Sequence, residues 1–475
     1  MDAIWTTMEE WGATVELNYG ILCLIPIAVI LGIALWKKDT FMSIIAGLFV
    51  AMLMAAKFNQ LVALGLFMDE FYVTACDDGT MWVLLVCALF GALIALMTES
   101  GGVLGFSTWA KKLLNSRKKT LLGTWILGII VFVDDYLNCL AVGAAIRPLA
   151  DKYRISREML AFIINSTGVI VCAIIPFSTW GAFFGGLMEE AGMTNGLSAI
   201  DGYTHAVPYM FYALIALLIV PLVALGVLPM FKNMKAAETR ALETGEVLSP
   251  ESKAALAEGL EDETRFEGKP CRAINFILPI LLVAAITVYT EDMVVALFFA
   301  IILCFVMYLP QKLMSVKGFC DAIMKGLIDM FPVLVIIILS YMLIDVNSML
   351  GLTDFVVQIC QANVSPALFP CIVFIGVGLL SFASGSVWGL AAIAFPIVGP
   401  VSLAMGIDPF LCAGATISAV AFGGHICMYA DTVILTSAST QATPADYFKT
   451  SLPITLAYPF VLGAIAYLVA GFIMY

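Results

Sequence analysis

Histidine occurs only twice in this chain, no two cysteines stand in a CxxC pair, and charged side chains make up 12% of the residues. The twelve cysteines are scattered, mostly inside apolar runs (Cys23, Cys87, Cys139, Cys172, Cys304), as expected of free buried thiols. Lys and Arg are missing from residues 1–18, so the basic region of a cleavable signal peptide is lacking and the first span is expected to be retained. The apolar runs lack the alternating period of a transmembrane barrel, which excludes a sheet architecture. A nucleotide-binding loop and a soluble domain are also missing, which argues against primary active transport. The net charge of −12 lies outside the apolar runs and gives no reason to expect a nucleic-acid partner.

What is present is hydrophobic. Apolar side chains are 62% of the total and the mean hydropathy is +1.02, more than a soluble core absorbs, so the solvent is lipid. The apolar runs predict spans at about 20–36, 41–56, 81–98, 205–231, 273–290, 293–309, 328–346 and 453–475. Gly, Pro, Ser and Thr within the runs suit packed or broken membrane helices. Placing Lys37 and Lys38 in the cytoplasm puts the amino-terminus outside and the basic stretch 111–119 inside. The segment 232–272, Lys312 and Lys317 also fall inside. The expected outer loops 58–80 and 189–204 carry Asp69, Glu70, Asp77, Asp78, Glu189, Glu190 and Asp201 but no Lys or Arg. An inner-membrane protein with a cytoplasmic linker at 232–272, read as a solvated helical or flexible connector, is the expectation.

One stretch breaks the pattern. Residues 120–133 would make a helix of about 21 Å, too short for a hydrocarbon core of roughly 30 Å. Asp134-Asp135-Tyr136-Leu137-Asn138 follows, then a second short apolar arm and basic residues from Arg147 to Arg157. Both flanks are basic, so the path enters, turns and returns: a re-entrant hairpin at about 120–150. Residues 367–405 are interrupted at Ser381–Gly389 and have no basic flank, which predicts a second hairpin entering from the other face. Polar breaks also interrupt the segments behind them, about 155–188 and 408–438. A gap-free register from Ile155 on Ile407 places Ser166 on Ser418 and Thr179 on Asp431. The predicted fold is therefore an all-α polytopic membrane protein with two inverted-topology repeats, 1–231 and 273–475, joined by the linker. Such repeats with discontinuous helices point to a site at the midplane.

The candidate site follows from what a membrane interior tolerates. A carboxylate there costs several kcal/mol unless a cation, proton or donor compensates it. Asp134 and Asp135 sit at the hairpin tip, and Asp134 and Asn138 would share a helical face and offer oxygens to one ion. The alternative reading is that one of the two aspartates caps the second arm. Asp431, with Thr432, and His425 are candidates for carrying a proton. Ser166, Thr167, Ser178, Thr179, Ser384, Ser386 and Ser418 offer hydroxyls to an ion or solute, as well as to helix packing. Trp180 and Trp388 offer indole walls to an organic solute or cation, or pack. No intramembrane Lys or Arg stands out as an anion holder, although half-helix amino-termini can hold a carboxylate.

Val133-Asp134-Asp135-Tyr136-Leu137-Asn138, Arg147-Pro148, Asp151-Lys152-Tyr153, Asn165-Ser166-Thr167 and Ser178-Thr179-Trp180-Gly181 together resemble the NhaC-type sodium/proton antiporter family. Ser384-Gly385-Ser386, Trp388-Gly389 and Phe422-Gly423-Gly424-His425 with Asp431-Thr432 fit it as well. The resemblance implies the ion-transporter superfamily fold, an elevator-like movement and a homodimer. It also implies binding roles for Asp134, Asn138, Ser178, Thr179, Ser384, Ser386, His425 and Asp431, with Na⁺ candidates Asp134, Asn138, Ser178, Thr179 and Asp431. The chain departs from the family pattern at Gly424, where members often carry Asp, and at Met428-Tyr429. The room expected there, with Tyr429 and two Trp nearby, would suit an organic solute. The expected function is secondary active transport of a small amino-acid or organic-acid solute coupled to Na⁺ and/or H⁺, with no cofactor. Pure Na⁺/H⁺ exchange is the alternative. An intramembrane hydrolase using Asp134 and Asp431, or a passive channel, is a minor one.

Overall fold

In lipid each backbone polar group is satisfied within its own segment, and this chain does so with helices. The computed structural model describes residues 19–37, 40–257, 271–290, 292–385, 387–428 and 430–475, and no strand occurs among them. The first half contains α1 (Ile25–Lys37), α2 (Thr40–Ala55), α3 (Gln60–Cys76), α4 (Asp78–Glu99), α5 (Gly102–Leu113), α6 (Arg117–Ile130), α7 (Asp135–Lys152), α8 (Arg157–Ile174), α9 (Thr179–Glu190), α10 (Ala199–Ala206) and α11 (Phe211–Ala224). Linker helices α12 (Lys232–Thr244) and α13 (Pro250–Ala257) follow. The second half contains α14 (Ile274–Thr290), α15 (Met293–Tyr308), α16 (Val316–Met349), α17 (Leu352–Asn363), α18 (Phe369–Ser384), α19 (Val387–Ala404), α20 (Pro409–Ile426), α21 (Asp431–Thr440), α22 (Pro444–Thr455) and α23 (Val461–Met474). Among the described residues seven helices are long and apolar enough to cross a membrane, or up to nine if each bent pair counts as one span.

The order of elements in 102–190 recurs in 352–440. α5 and α17 each have 12 residues and each follows a left-handed glycine, Gly101 (φ 75°) and Gly351 (φ 77°). α7 and α19 have 18 residues each, as do α8 and α20. The register that sets Thr179 on Asp431 also sets Arg157 on Pro409, the first residues of α8 and α20. α6 and α7 fold back on one another. Arg117, at the start of α6, donates to the carbonyls of Tyr153 (3.2 Å) and Arg154, just beyond the end of α7. α7 packs on α8 and α21, while α19 packs on α20 and α9, so each half's pieces interleave with the other's.

α4 and α16 cross closely beside this assembly. A Cβ on Gly91 would lie 2.4 Å from the Gly326 carbonyl oxygen, and one on Gly326 would lie 2.2 Å from that of Gly91. Only glycine allows the two backbones to meet this way.

Two expectations are corrected. The acidic stretch 58–80 is mostly helix: Asn59 caps α3 by accepting from Leu61 and Val62, and α3 bends 117° from α2. Its Glu70 is buried, and the helix packs on α16, so the acid marks a helix face rather than a loop. The linker is also docked rather than a solvated connector. α12 buries Met234, Ala237 and Ala241 against α8 and α22. Arg240 pairs with Glu158 at 2.8 Å, Arg117 with Glu238, and Ser249 and Ser252 donate to Asp446 at 2.5 and 2.8 Å. Residues 258–270 lie outside the described part.

Candidate functional site

Four helices end and four begin around one region: α6, α8, α18 and α20 stop there, and α7, α9, α19 and α21 start. Helix ends leave N–H groups and carbonyls without intrahelical partners, so such a junction offers donors to an anion and oxygens to a cation. The contacts across it are specific. Thr179 N–H donates to the Val133 carbonyl at 3.2 Å, and Thr179 Oγ1 to Asp134 Oδ2 at 3.4 Å. Tyr136 donates its hydroxyl to Asp431 Oδ2 at 2.9 Å, tying the first hairpin to the second broken helix. Trp180 and Trp388 meet edge to face with ring centres 6.0 Å apart.

Both hairpin aspartates are buried, and they differ in role. Asp134 is the N-cap of α7, its Oδ1 accepting from Leu137 N–H at 2.9 Å, whereas Asp135 is the first helical residue. Asn138 braces the turn: its Nδ2 donates to the carbonyls of Gly128 (2.6 Å) and Val131 (2.9 Å), while its buried Oδ1 has no hydrogen-bond partner among the described residues. A cavity of about 330 Å³ opens beside them. One wall carries Asp134, Asp135, Tyr136, Thr179 and Trp388, and the other carries Gly91, Thr98 and Glu99 of α4 with Lys325, Asp329 and Met330 of α16. Lys325 Nζ lies 2.6 Å from Glu99 Oε1. Sequence reasoning missed Tyr136, Glu99, Lys325 and Asp329. The available signal was that Lys325 and Asp329 are four apart on one helix face, straddling the start of the apolar run from 328.

The remaining candidates do not line this cavity. Ser178 caps α9 through Gly181 N–H (3.1 Å) and donates to the Cys172 carbonyl at 2.7 Å. Thr167 donates to the carbonyls of Ile163 and Ile164. His425 belongs to a buried network between α8, α11, α20 and α22: its ring nitrogens lie 2.7 Å from Ser166 Oγ and 2.7 Å from the Tyr212 hydroxyl. Its carbonyl accepts from Asn165 (2.8 Å) and Tyr447 (2.5 Å). Ser418 accepts from the Tyr467 hydroxyl at 2.8 Å. Thr432 donates to the Gly424 carbonyl at 2.9 Å, and Ser384 to that of Ser381 at 3.4 Å. Ser386 and Tyr429 lie outside the described residues. Among the described residues no group of three or more His, Cys, Asp or Glu is disposed to hold a metal ion. The room expected at Gly424 is absent, because a Cβ there would lie 2.7 Å from Val387 Cγ2 at the start of α19.

A junction of broken helices with carboxylates and a membrane-type exterior is what a transporter presents, and the comparisons agree. The model of the Na⁺/H⁺ antiporter family matches residues 171–472. The chain belongs to the Na⁺/H⁺ antiporter family. This antiporter-family chain is thus a multi-pass membrane protein and a secondary transporter, as the resemblance to the NhaC type implied. A relative in Haemophilus influenzae, named only as an uncharacterized protein, is 25% identical over 495 residues, 96% of this chain and 92% of the relative. Two solved transporters share the fold. MtrF of Neisseria gonorrhoeae, described as illuminating a class of antimetabolite efflux pumps, aligns with TM-score 0.55 at 14% identity, covering 86% of this chain and 84% of that one. The YdaH transporter of Alcanivorax borkumensis, described as having an unusual topology, aligns with TM-score 0.52 at 15% identity over 86% and 88%.

Proposed function

We propose that this antiporter-family protein moves a small solute bearing both an amine and a carboxylate, coupled to Na⁺ and/or H⁺. One observation carries the proposal: the 330 Å³ cavity holds charges of both signs, Asp134 and Asp135 on one wall and Lys325 on the other. The amine faces the aspartates, which Thr179 and the helix amino-termini brace. The carboxylate displaces Glu99 from Lys325, so the solute exchanges one ion pair for another instead of stripping a charge bare. Na⁺ is held by Asp134, Thr179 and the carbonyls freed where the helices break, with Asn138 Oδ1 as a further oxygen. Tyr136 and Asp431 link the two halves and are placed to pass a proton.

The doubled order of elements supports two inverted repeats. The hairpins α6–α7 and α18–α19 and the broken helices α8–α9 and α20–α21 then form the moving body of an elevator, and α4 and α16 belong to a static scaffold. The inner membrane, an outside amino-terminus, a cytoplasmic 232–272 segment and a homodimer complete the proposal. Exchange of cations alone is the second reading, favoured by the carboxylates and the family description.

Proteoliposomes loaded with a pH dye separate the two readings. Uptake from a panel of amino acids and carboxylates should depend on Na⁺ or on a pH gradient. Lys325→Met should raise the KM for the transported solute at least tenfold with less effect on ion dependence. A pH response to Na⁺ alone that no solute in the panel alters would overturn the proposal in favour of bare exchange.

A further inference from the structure

α21 is ten residues long, about 15 Å, and carries Asp431 at its first position. A helix this short has little stability of its own, so its surroundings decide where Asp431 sits. It lies against α7, which belongs to the other half of the chain, and the contacts fall in the same order along both helices. Tyr136 meets Asp431 at one end, and further along Ser439 Oγ donates to the Cys139 carbonyl at 2.8 Å. Gly143 leaves room for that serine, since a Cβ there would run into Ser439 Oγ.

At its far end α21 stops without a capping glycine. Gln441 takes the left-handed turn (φ 61°), and Ser439 and Thr440 are buried, so the last carbonyls need donors and the helix end favours a cation. Two arginines of the first half supply both. Arg147 of α7 donates to the Ser439 carbonyl at 3.3 Å. Arg157, the first residue of α8, donates through Nη1 to the Thr440 carbonyl at 2.7 Å and through Nη2 to Asp151 Oδ2 of α7 at 2.9 Å. Its side chain is buried, and its backbone N–H is held by the Val247 carbonyl of the linker at 3.0 Å. The planar fork joins the end of α21 to α7 through two nitrogens at a fixed separation, which a lysine cannot do.

We infer that Arg157 is a positioning residue for transport: by fixing α21 lengthwise against α7 it keeps Asp431 on the Tyr136 hydroxyl, about 13 Å away along the helix. A slip of α21 by a fraction of a turn opens that hydrogen bond while α7 and α8 stay where they are. The inference rests on the reading that Tyr136 and Asp431 pass a proton between the halves, and it sets that link from the opposite end of α21.

Hydrogen exchange, read by mass spectrometry on the detergent-solubilised full-length protein, tests the positioning by itself. Arg157→Lys, which keeps the charge but not the fork, should speed exchange of the amides of 432–435 at least fivefold and leave α23 unchanged. Tyr136→Phe, which removes only the hydroxyl, should do the same. The two together should add less than twofold to the larger effect, because both lose one contact. Ser439→Ala loosens the same seam without touching a charge, should act in the same direction, and replaces Arg157→Lys if that variant does not fold. Faster exchange confined to 437–441, an equal rise in α23, multiplied effects in the double variant, or no effect of Ser439→Ala would each overturn the positioning. Proton movement on imposing a NaCl gradient, followed with a pH dye in proteoliposomes, tests its use and should fall at least fivefold in Arg157→Lys and in Tyr136→Phe. A fall in Tyr136→Phe alone would remove Arg157 from transport. The same signal in the native protein and both variants, with faster exchange at 432–435, would instead refute the proton link itself.

Discussion

Replacing Asp134 by Asn and, separately, by Ala divides the two tasks of one carboxylate. Oδ1 caps α7 through Leu137 N–H at 2.9 Å, while Oδ2 accepts from Thr179 beside the cavity. Asn caps a helix about as well as Asp, so Asp134→Asn should melt with the native protein, whereas Asp134→Ala loses about 1 kcal/mol with the cap. Both remove the charge. A cation about 4 Å from a carboxylate at an effective dielectric near 20 gains roughly 4 kcal/mol. At about 1.4 kcal/mol per factor of ten, losing that interaction weakens Na⁺ binding by about three orders of magnitude. Thermal melts in detergent give the stability of each variant, and solute uptake into proteoliposomes over a range of Na⁺ gives the ion dependence. The expected pattern is a stable Asp134→Asn that no longer responds to Na⁺ in the native range. If that variant responds normally to Na⁺, or is as unstable as Asp134→Ala, the carboxylate is a structural cap and the proposed ion site is wrong.

Two further outcomes test the packing. Gly91→Ala puts a Cβ 2.4 Å from the Gly326 carbonyl oxygen, and overpacking of roughly 1–3 kcal/mol should outweigh the ~1 kcal/mol that Ala gains over Gly in a helix; a raised melting temperature would refute the close crossing. Arg240→Met leaves Glu158, whose side chain is 3% exposed, without its partner and should cost roughly 3 kcal/mol, most of which adding Glu158→Gln restores. Additive losses in that double-mutant cycle would mean the linker does not bear on α8.

The interruptions were legible in the chain because lipid makes them conspicuous. Apolar arms too short to span, meeting at Asp134-Asp135 or at Ser384-Gly385, have few other uses in a bilayer, and the helices do break at those places. Spacing alone did not put Asp431 beside the first hairpin, since its partner Tyr136 is almost three hundred positions away; only the family resemblance grouped it with Asp134. The same limit applies to His425. It was a candidate, with Asp431, for carrying a proton, yet its ring is held by Ser166 and Tyr212, which come from other helices. The acidic stretch 58–80 and the charged linker misled for a related reason: polar composition marks exposure only until another element covers it, as α16 covers Glu70 and α8 pairs Glu158 with Arg240.

The sequence by itself determined the solvent, the helical class, the four breaks and the order in which they recur, because hydropathy, helix length and backbone satisfaction are local properties of a chain in lipid. Only the tertiary structure decided which charges share a space. It brought Glu99 and Lys325 from two separate helices to face Asp134 and Asp135, and set Tyr341 against an acidic cavity at the opposite end of the same helix pair. Side chains far apart in the chain become neighbours through packing, and here the glycine contact of Gly91 with Gly326 sets that packing and so the cavity between the helices.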